Sequence, residues 1–267
     1  MSNKITIGSL FAGIGGFELG IERAIPNSKT IWQVEQNTFC QSILSKHWPK
    51  AKIYDDVRDI TVNNVEPVDI LIGGFPCQDI SIQNNQAKGI HNGKKSSLWW
   101  EMHRIIRELQ PRIVIMENVA NILRVGGLDV VGSLAEIGYE CEWTVIQASD
   151  FGACHQRARW FCVAYPRCKT PRNGAEMGIR MEKKISNGCQ GLPALWNNKR
   201  ESDWGGVGSQ SAICRVDDGL PTGMDRSKHN KIRQERLRAL GNAIVPQCSE
   251  WIGLQVLKSG LLDNLID

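Results

Sequence analysis

The 267-residue sequence predicts an α/β protein, with a mostly parallel sheet covered by helices on both faces and a small loop-rich lobe attached. Three observations carry this expectation. Short apolar runs alternate with amphipathic segments through residues 1–165, a glycine-rich turn follows the first run, and the alternation stops near Pro166.

Taken in order, the expected strands are ITIGSLF, TIWQVE, a short AKIYDD, VDILIGG, RIVIMEN, CEWTVIQA and RWFCVAY. Several are almost continuously apolar, as strands are when helices cover both faces of their sheet. Helical spacing fills the intervals at Phe17 to Ala24, Thr38 to Lys46, Leu98 to Leu109 and Leu128 to Glu136. From Pro166 to Arg226 the chain is polar, glycine-bearing and without sustained periodicity. Trp196 and Trp204 in that stretch can anchor a minimal core or contact a ligand. Helical spacing returns in KIRQERLRALGNAIVPQCSEWIGLQVLKSGLL, so residues 227–267 are expected to pack back on the first domain.

Composition narrows the function classes. With 42% hydrophobic and 22% charged residues the chain can bury one sizeable core. No apolar run approaches the roughly 18 residues of a membrane span, and MSNKITIGSL lacks the features of a secretory signal, so the cytoplasm is the expected compartment. The nine cysteines are odd in number and include no C-x2-C or C-x4-C pair, while the five histidines are scattered. Neither disulfides nor a metal is therefore expected, and most thiols read as small buried hydrophobes. Basic charge is concentrated: 15 Lys and Arg stand against 8 Asp and Glu in 166–240, whereas 1–165 is balanced at 16 against 17. Such a segment attracts polyanions, although a solubilising surface would have the same composition.

The chemistry-bearing residues fall where strands end. In SLFAGIGGFELG the glycines let backbone N–H groups approach a ligand at a helix N-terminus. Glu35, about 20 residues on and at the end of the second strand, is placed to accept hydrogen bonds from ribose hydroxyls, though a solvated strand-end carboxylate would look the same. Asp56 can reach an adenine amino group at the same edge, while Asp55 reads equally well as surface charge. The fourth strand delivers Cys77 on the proline-stiffened G-F-P-C-Q loop, and the fifth delivers Glu117 and Asn118. Parallel strands bring a nucleophile and a proton donor, forty residues apart, to one pocket.

F-A-G-I-G-G, G-F-P-C-Q, E-N-V, an R-x-R strand and G-N-A-I-V-P-Q, in that order, resemble the DNA (cytosine-5) methyltransferase family. The resemblance covers residues 4–165 and 236–257, and the short basic lobe is similar to that of phage and prophage members. It implies a Rossmann-like, S-adenosylmethionine-dependent methyltransferase fold, with 1–165 as catalytic and cofactor-binding domain, 166–226 as target-recognition region and 227–267 completing the catalytic domain. It implies methyl transfer to C5 of cytosine in a specific double-stranded DNA sequence without a metal. Cys77 would add to C6 of a flipped base, and Glu117 would contact N3.

Strand alternation puts Arg157, Arg159, Phe161 and Val163 on one face. If that strand runs antiparallel, as the resemblance implies, Arg159 can contact cytosine O2 or a phosphate, and Arg157 and Arg159 join Cys77 and Glu117 as the implied catalytic residues. His155 stands where the family usually has Gln, and a packing role fits it as well as a functional one. The implied cofactor site comprises Phe11, Ala12, Gly13, Ile14, Gly15, Gly16, Glu35, Asp56, Val57, Pro76, Leu98, Asn242 and Ala243. DNA contacts are expected from Ser81 and Gln83 in a loop closing over the base, and from Lys183, Lys184, Lys199 and Arg200 in the lobe. A cognate restriction endonuclease would be a functional partner. A tRNA cytosine-5 methyltransferase and an inactive DNA-binding relative are the alternatives, and the recognition sequence is not legible.

Overall fold

The computed structural model describes residues 4–76, 98–153, 155–167 and 226–263. Its centre is a seven-stranded sheet in the order β3-β2-β1-β4-β5-β7-β6. The strands are β1 (Ile5–Leu10), β2 (Ser28–Val34), β3 (Lys52–Tyr54), β4 (Ile70–Gly74), β5 (Ile113–Val119), β6 (Tyr139–Ile146) and β7 (Arg159–Pro166). The first five pair in parallel, and β7 inserts antiparallel between β5 and β6. The helices are α1 (Gly16–Ala24), α2 (Thr38–His47), α3 (Leu98–Leu109), α4 (Ile122–Val125), α5 (Gly127–Glu136), α6 (Arg226–Asn242) and α7 (Pro246–Lys258). Among the described residues no helix is long and apolar enough to cross a membrane.

Alternation along the strands divides the core into two layers. On β5, Val114 and Met116 face one layer with Trp99, Met102 and Ile105 of α3, whereas Ile113 and Ile115 face the other with Phe17 and Ile21 of α1 and Ile252 and Val256 of α7. On β7, Trp160 and Cys162 belong to the first layer, and Phe161 and Val163 to the second. Cys40, Cys162 and Cys248 are buried free thiols.

The expected mostly parallel α/β sheet is therefore present, with small differences in its elements. Expected strand Cys141–Ala148 begins two residues earlier and ends at Ile146, because Ala148–Phe151 turns into a 3₁₀ segment stabilised by reciprocal bonds between Gln147 and Asp150. The C-terminal helical stretch is broken at 243–245, where Pro246 opens α7 at a position that tolerates its missing N–H. Chain order reverses between β1 and β4: β1 leads outward to β2, and β4 returns on the other side. In an open α/β sheet that reversal leaves a crevice at the carboxyl ends of the two strands.

Candidate active site

Three strand ends and one helix connector meet at this crevice. Its walls are Ser9 and Leu10 of β1, Phe11, Ala12 and Gly13 of the turn, Phe17 of α1, Gly74 of β4, Glu117 of β5, and Asn242, Ala243 and Ile244. The turn is shaped by left-handed backbone at Phe11, Gly13 and Gly15, with φ of 57°, 57° and 87°. At Gly13 a side chain would be strained, and the space where its Cβ would stand is open. Ala12 N donates to Val34 O at 3.0 Å, and Gly15 N to Ala12 O at 3.0 Å, so the turn is tied to β2 and to itself.

Glu35 organises this turn. Its Oε2 accepts from Gly13 N at 2.8 Å and its Oε1 from Asn37 N at 2.7 Å, so one carboxylate joins the glycine turn to the start of α2. Asp56 caps its own 3₁₀ turn, accepting from Arg58 N at 2.9 Å and from Arg58 Nη1 at 3.0 Å. Val57 is buried in the first core layer, and Leu98 packs against that layer. Among the expected cofactor residues, Phe11, Ala12, Gly13, Asn242 and Ala243 line the crevice directly. Ile14, Gly15 and Gly16 continue the turn into α1, and Pro76 is half-buried two residues beyond β4.

Parallel register sets Gly74 opposite Glu117. Antiparallel register sets Val119 opposite Arg159, which brings the arginine back along β5 toward the carboxylate. Arg159 Nε lies 2.9 Å from Glu117 Oε1. The Glu117 carboxyl is nonetheless pushed up to about 7, because burial outweighs the attraction of Arg159 and Arg157. Near neutrality this side chain can therefore either carry a proton or give it up. Buried Asn118 donates from Nδ2 to Phe75 O at 3.2 Å, while its Oδ1 accepts from Val119 N at 2.8 Å. The loop leaving β4 is thus stitched to the strand that carries Glu117.

Arg157 departs from the sequence expectation. Strand alternation does not extend to it, because β7 begins at Arg159 and Arg157 holds a left-handed φ of 36°. Its Nη2 donates to Gly241 O and to Ala243 O, each at 2.7 Å. His155 is exposed. Cys77, Ser81, Gln83, Lys183, Lys184, Lys199 and Arg200 lie outside the described residues. Ser9, Phe17 and Ile244 are crevice residues that sequence reasoning missed. Each had a signal in a motif already singled out: Ser9 and Phe17 lie in SLFAGIGGFELG on either side of the turn, and Ile244 follows Asn242 and Ala243 in G-N-A-I-V-P-Q.

Comparison with known proteins agrees with this geometry. The chain is 39% identical over 157 residues to the type II methyltransferase M.CviJI of Paramecium bursaria Chlorella virus IL3A, covering 58% of this chain and 41% of that one. It is 36% identical over 182 residues to the type II methyltransferase M.Sau3AI of Staphylococcus aureus, covering 61% of this chain and 44% of that one. These matches span less than half the length of either relative. The solved structure of the Entamoeba histolytica methyltransferase EhMeth shares the fold, with a TM-score of 0.53 at 22% identity over 63% of this chain and 54% of that one. The family model for C-5 cytosine-specific DNA methylase matches residues 5–199, which include the glycine turn, G-F-P-C-Q, E-N-V and the R-x-R strand. The chain belongs to the C-5 cytosine-specific DNA methylase family.

Proposed function

We propose that the protein methylates C5 of cytosine in a specific double-stranded DNA sequence, with S-adenosylmethionine as methyl donor and Cys77 as nucleophile. The observation that carries this reading is the ion pair of buried Glu117 with half-buried Arg159, beside the end of β4 and in the crevice that the glycine turn also walls. Cys77 follows Pro76 in the chain, just beyond the Phe75 carbonyl that Asn118 holds.

The crevice fits the cofactor on two observations. Gly13 leaves open space beside the turn, and α1 starts at Gly16 behind an N-cap, Gly15, that offers no side chain to its first N–H groups, which therefore favour a carboxylate. Phe11 to Gly13 and Asn242 to Ile244 would flank the molecule, with Glu35 as partner for ribose hydroxyls through lone pairs beyond those used by Gly13 and Asn37. When bound, S-adenosylmethionine supplies an electrophilic methyl group.

The protein's own residues do the rest. The Cys77 thiolate adds to C6, forming an S–C6 bond and driving electron density toward N3 and C5. Protonated Glu117 donates to N3 as that charge develops, which its raised pKa permits near neutrality. Arg159 fixes the Glu117 carboxyl and adds positive charge beside O2 of the base. After methyl transfer the C5 proton leaves to solvent, the S–C6 bond breaks, N3 returns its proton to Glu117, and the Cys77 thiolate is restored. C5 is inaccessible inside a duplex, so the base must flip out at a cost of a few kcal/mol met by DNA contacts.

The test is transfer of tritiated methyl groups to duplex DNA and to tRNA, with wild type and Cys77→Ser. Label in DNA with wild type and none with the serine variant is the expected result, because a hydroxyl is far less ionised than a thiol. Duplex carrying 5-fluorocytosine should trap a covalent adduct that survives denaturing electrophoresis. Label in tRNA alone, activity in Cys77→Ser, or no adduct would refute the reading.

A further inference from the structure

We infer that Arg157 is a positioning residue, which caps the carboxyl end of α6 from the lead-in to β7 and thereby fixes the Asn242–Ile244 wall of the crevice. The inference rests on the cofactor reading above for its functional consequence, but its structural half stands alone.

The last carbonyls of a helix have no partner within it, and a cation there is favoured by the aligned peptide dipoles. The last turn of α6 contains no basic residue of its own. Arg157, more than eighty residues earlier in the chain, supplies the missing cation: a single nitrogen, Nη2, donates to Gly241 O and Ala243 O on either side of Asn242. At 2.7 Å both bonds fall at the short end expected when the donor is charged.

The backbone conformation points the same way. A non-glycine residue at φ 36° stays there only where its surroundings hold it. Two residues further on, Arg159 grips Glu117. One three-residue segment therefore holds two walls of the crevice, the side bearing the proton donor and the side formed by the α6–α7 connector. The connector has a second anchor, since Ser249 Oγ of α7 donates to Gly16 O at the start of α1.

The decisive variant is Arg157→Gly, which removes the guanidinium while relaxing the left-handed backbone. Calorimetric titration with S-adenosylmethionine should show at least roughly tenfold weaker binding, as expected for loss of charged hydrogen bonds. Affinity for duplex DNA, read by fluorescence anisotropy, should stay within about twofold, because the capped carbonyls belong to the crevice wall. Millimolar guanidinium should restore part of the cofactor affinity, and amide hydrogen exchange at 241–245 should be faster in the cofactor-free variant. Unchanged cofactor affinity with unchanged exchange overturns the inference, as does loss of DNA affinity alone, which would make Arg157 a nucleic-acid contact. If wild type itself binds no S-adenosylmethionine, the functional reading fails, and exchange at 241–245 still decides the cap. Should Arg157→Gly not fold, Arg157→Lys replaces it. Its ammonium stops short of the Nη2 position, so exchange should again quicken and cofactor binding weaken, and no change in either refutes the cap.

Discussion

At the scale of single residues, Glu117 illustrates how a carboxylate beside an arginine can still hold a proton. Burial raises its pKa to about 7 even though Arg159 lies 2.9 Å away. If the protonated form donates to N3, kcat/KM should fall as pH rises through about 7, since this parameter reports the free enzyme's groups. Glu117→Gln keeps the shape but cannot be deprotonated. It should lose roughly 10²-fold or more in rate and also lose that falling limb. A Gln variant whose pH profile matches wild type would assign the limb to another group. Glu35 makes a different prediction, because its carboxylate already joins Gly13 N and Asn37 N. Glu35→Ala should weaken cofactor binding by on the order of 1.5–3 kcal/mol, since it removes a charged acceptor from both turn and ligand. Calorimetry showing unchanged cofactor affinity would return Glu35 to a purely local role.

At the scale of elements, the contact between α1 and α7 carries the connector that walls the crevice. The helices approach closely because Gly20 has no side chain: a Cβ there would stand 2.0 Å from Ser249 Oγ and 2.3 Å from Pro246 O. Gly20→Ala should therefore push the helices apart and cost about 1–3 kcal/mol, the range for overpacking, read as a lowered urea midpoint. Unchanged stability would mean that α7 yields freely. Helix α1 also buries Glu18 completely, with Gln33 Nε2 donating to its Oε1 at 3.1 Å. Burial pushes this carboxyl from 4.5 up to about 7, outweighing the donors around it. A group raised in this way favours the folded state fully below its unfolded pKa of 4.5, and that contribution is lost as pH rises through about 7. Between pH 5 and 8, Glu18→Gln should flatten the fall in stability by on the order of 2 kcal/mol relative to wild type. Parallel stability curves for the two proteins would show that Glu18 does not titrate there.

At the scale of the whole molecule, the proposed division of labour assigns chemistry to 1–165 and 227–267 and sequence choice to 166–226. Lys and Arg outnumber Asp and Glu by 10 to 7 in 166–226. Neutralising Lys183, Lys184, Lys199 and Arg200 should weaken binding to all duplexes alike and reduce the log–log salt slope by roughly 0.9 for each phosphate that the protein no longer neutralises. Exchanging 166–226 for the matching segment of a relative with another target should redirect methylation, mapped by bisulfite sequencing of host DNA. A folded, active chimera that keeps the original site would move sequence reading to the catalytic part.

What the sequence determined by itself follows from local rules. Apolar runs of strand length alternating with amphipathic stretches dictate a covered parallel sheet, with G-F-P-C-Q starting at the last residue of β4 and E-N-V forming the last three of β5. The place of Glu117 and Arg159 at one sheet edge was legible only through the family resemblance, which implied that β7 runs antiparallel, as it does. Other features depend on contacts between residues far apart in the chain, which no period of 2 or 3.6 encodes. Whether Glu117 is buried enough to hold a proton depends on what covers it, as does the burial of Val57 in the core and the packing of Leu98 against it. Arg157 looked like the next residue of an alternating strand. Only the tertiary structure turned it, through a left-handed backbone, toward one carbonyl at the end of α6 and one in the connector, which no sequence spacing links to it, because a helix end satisfies its last acceptors with whichever donor the fold brings near.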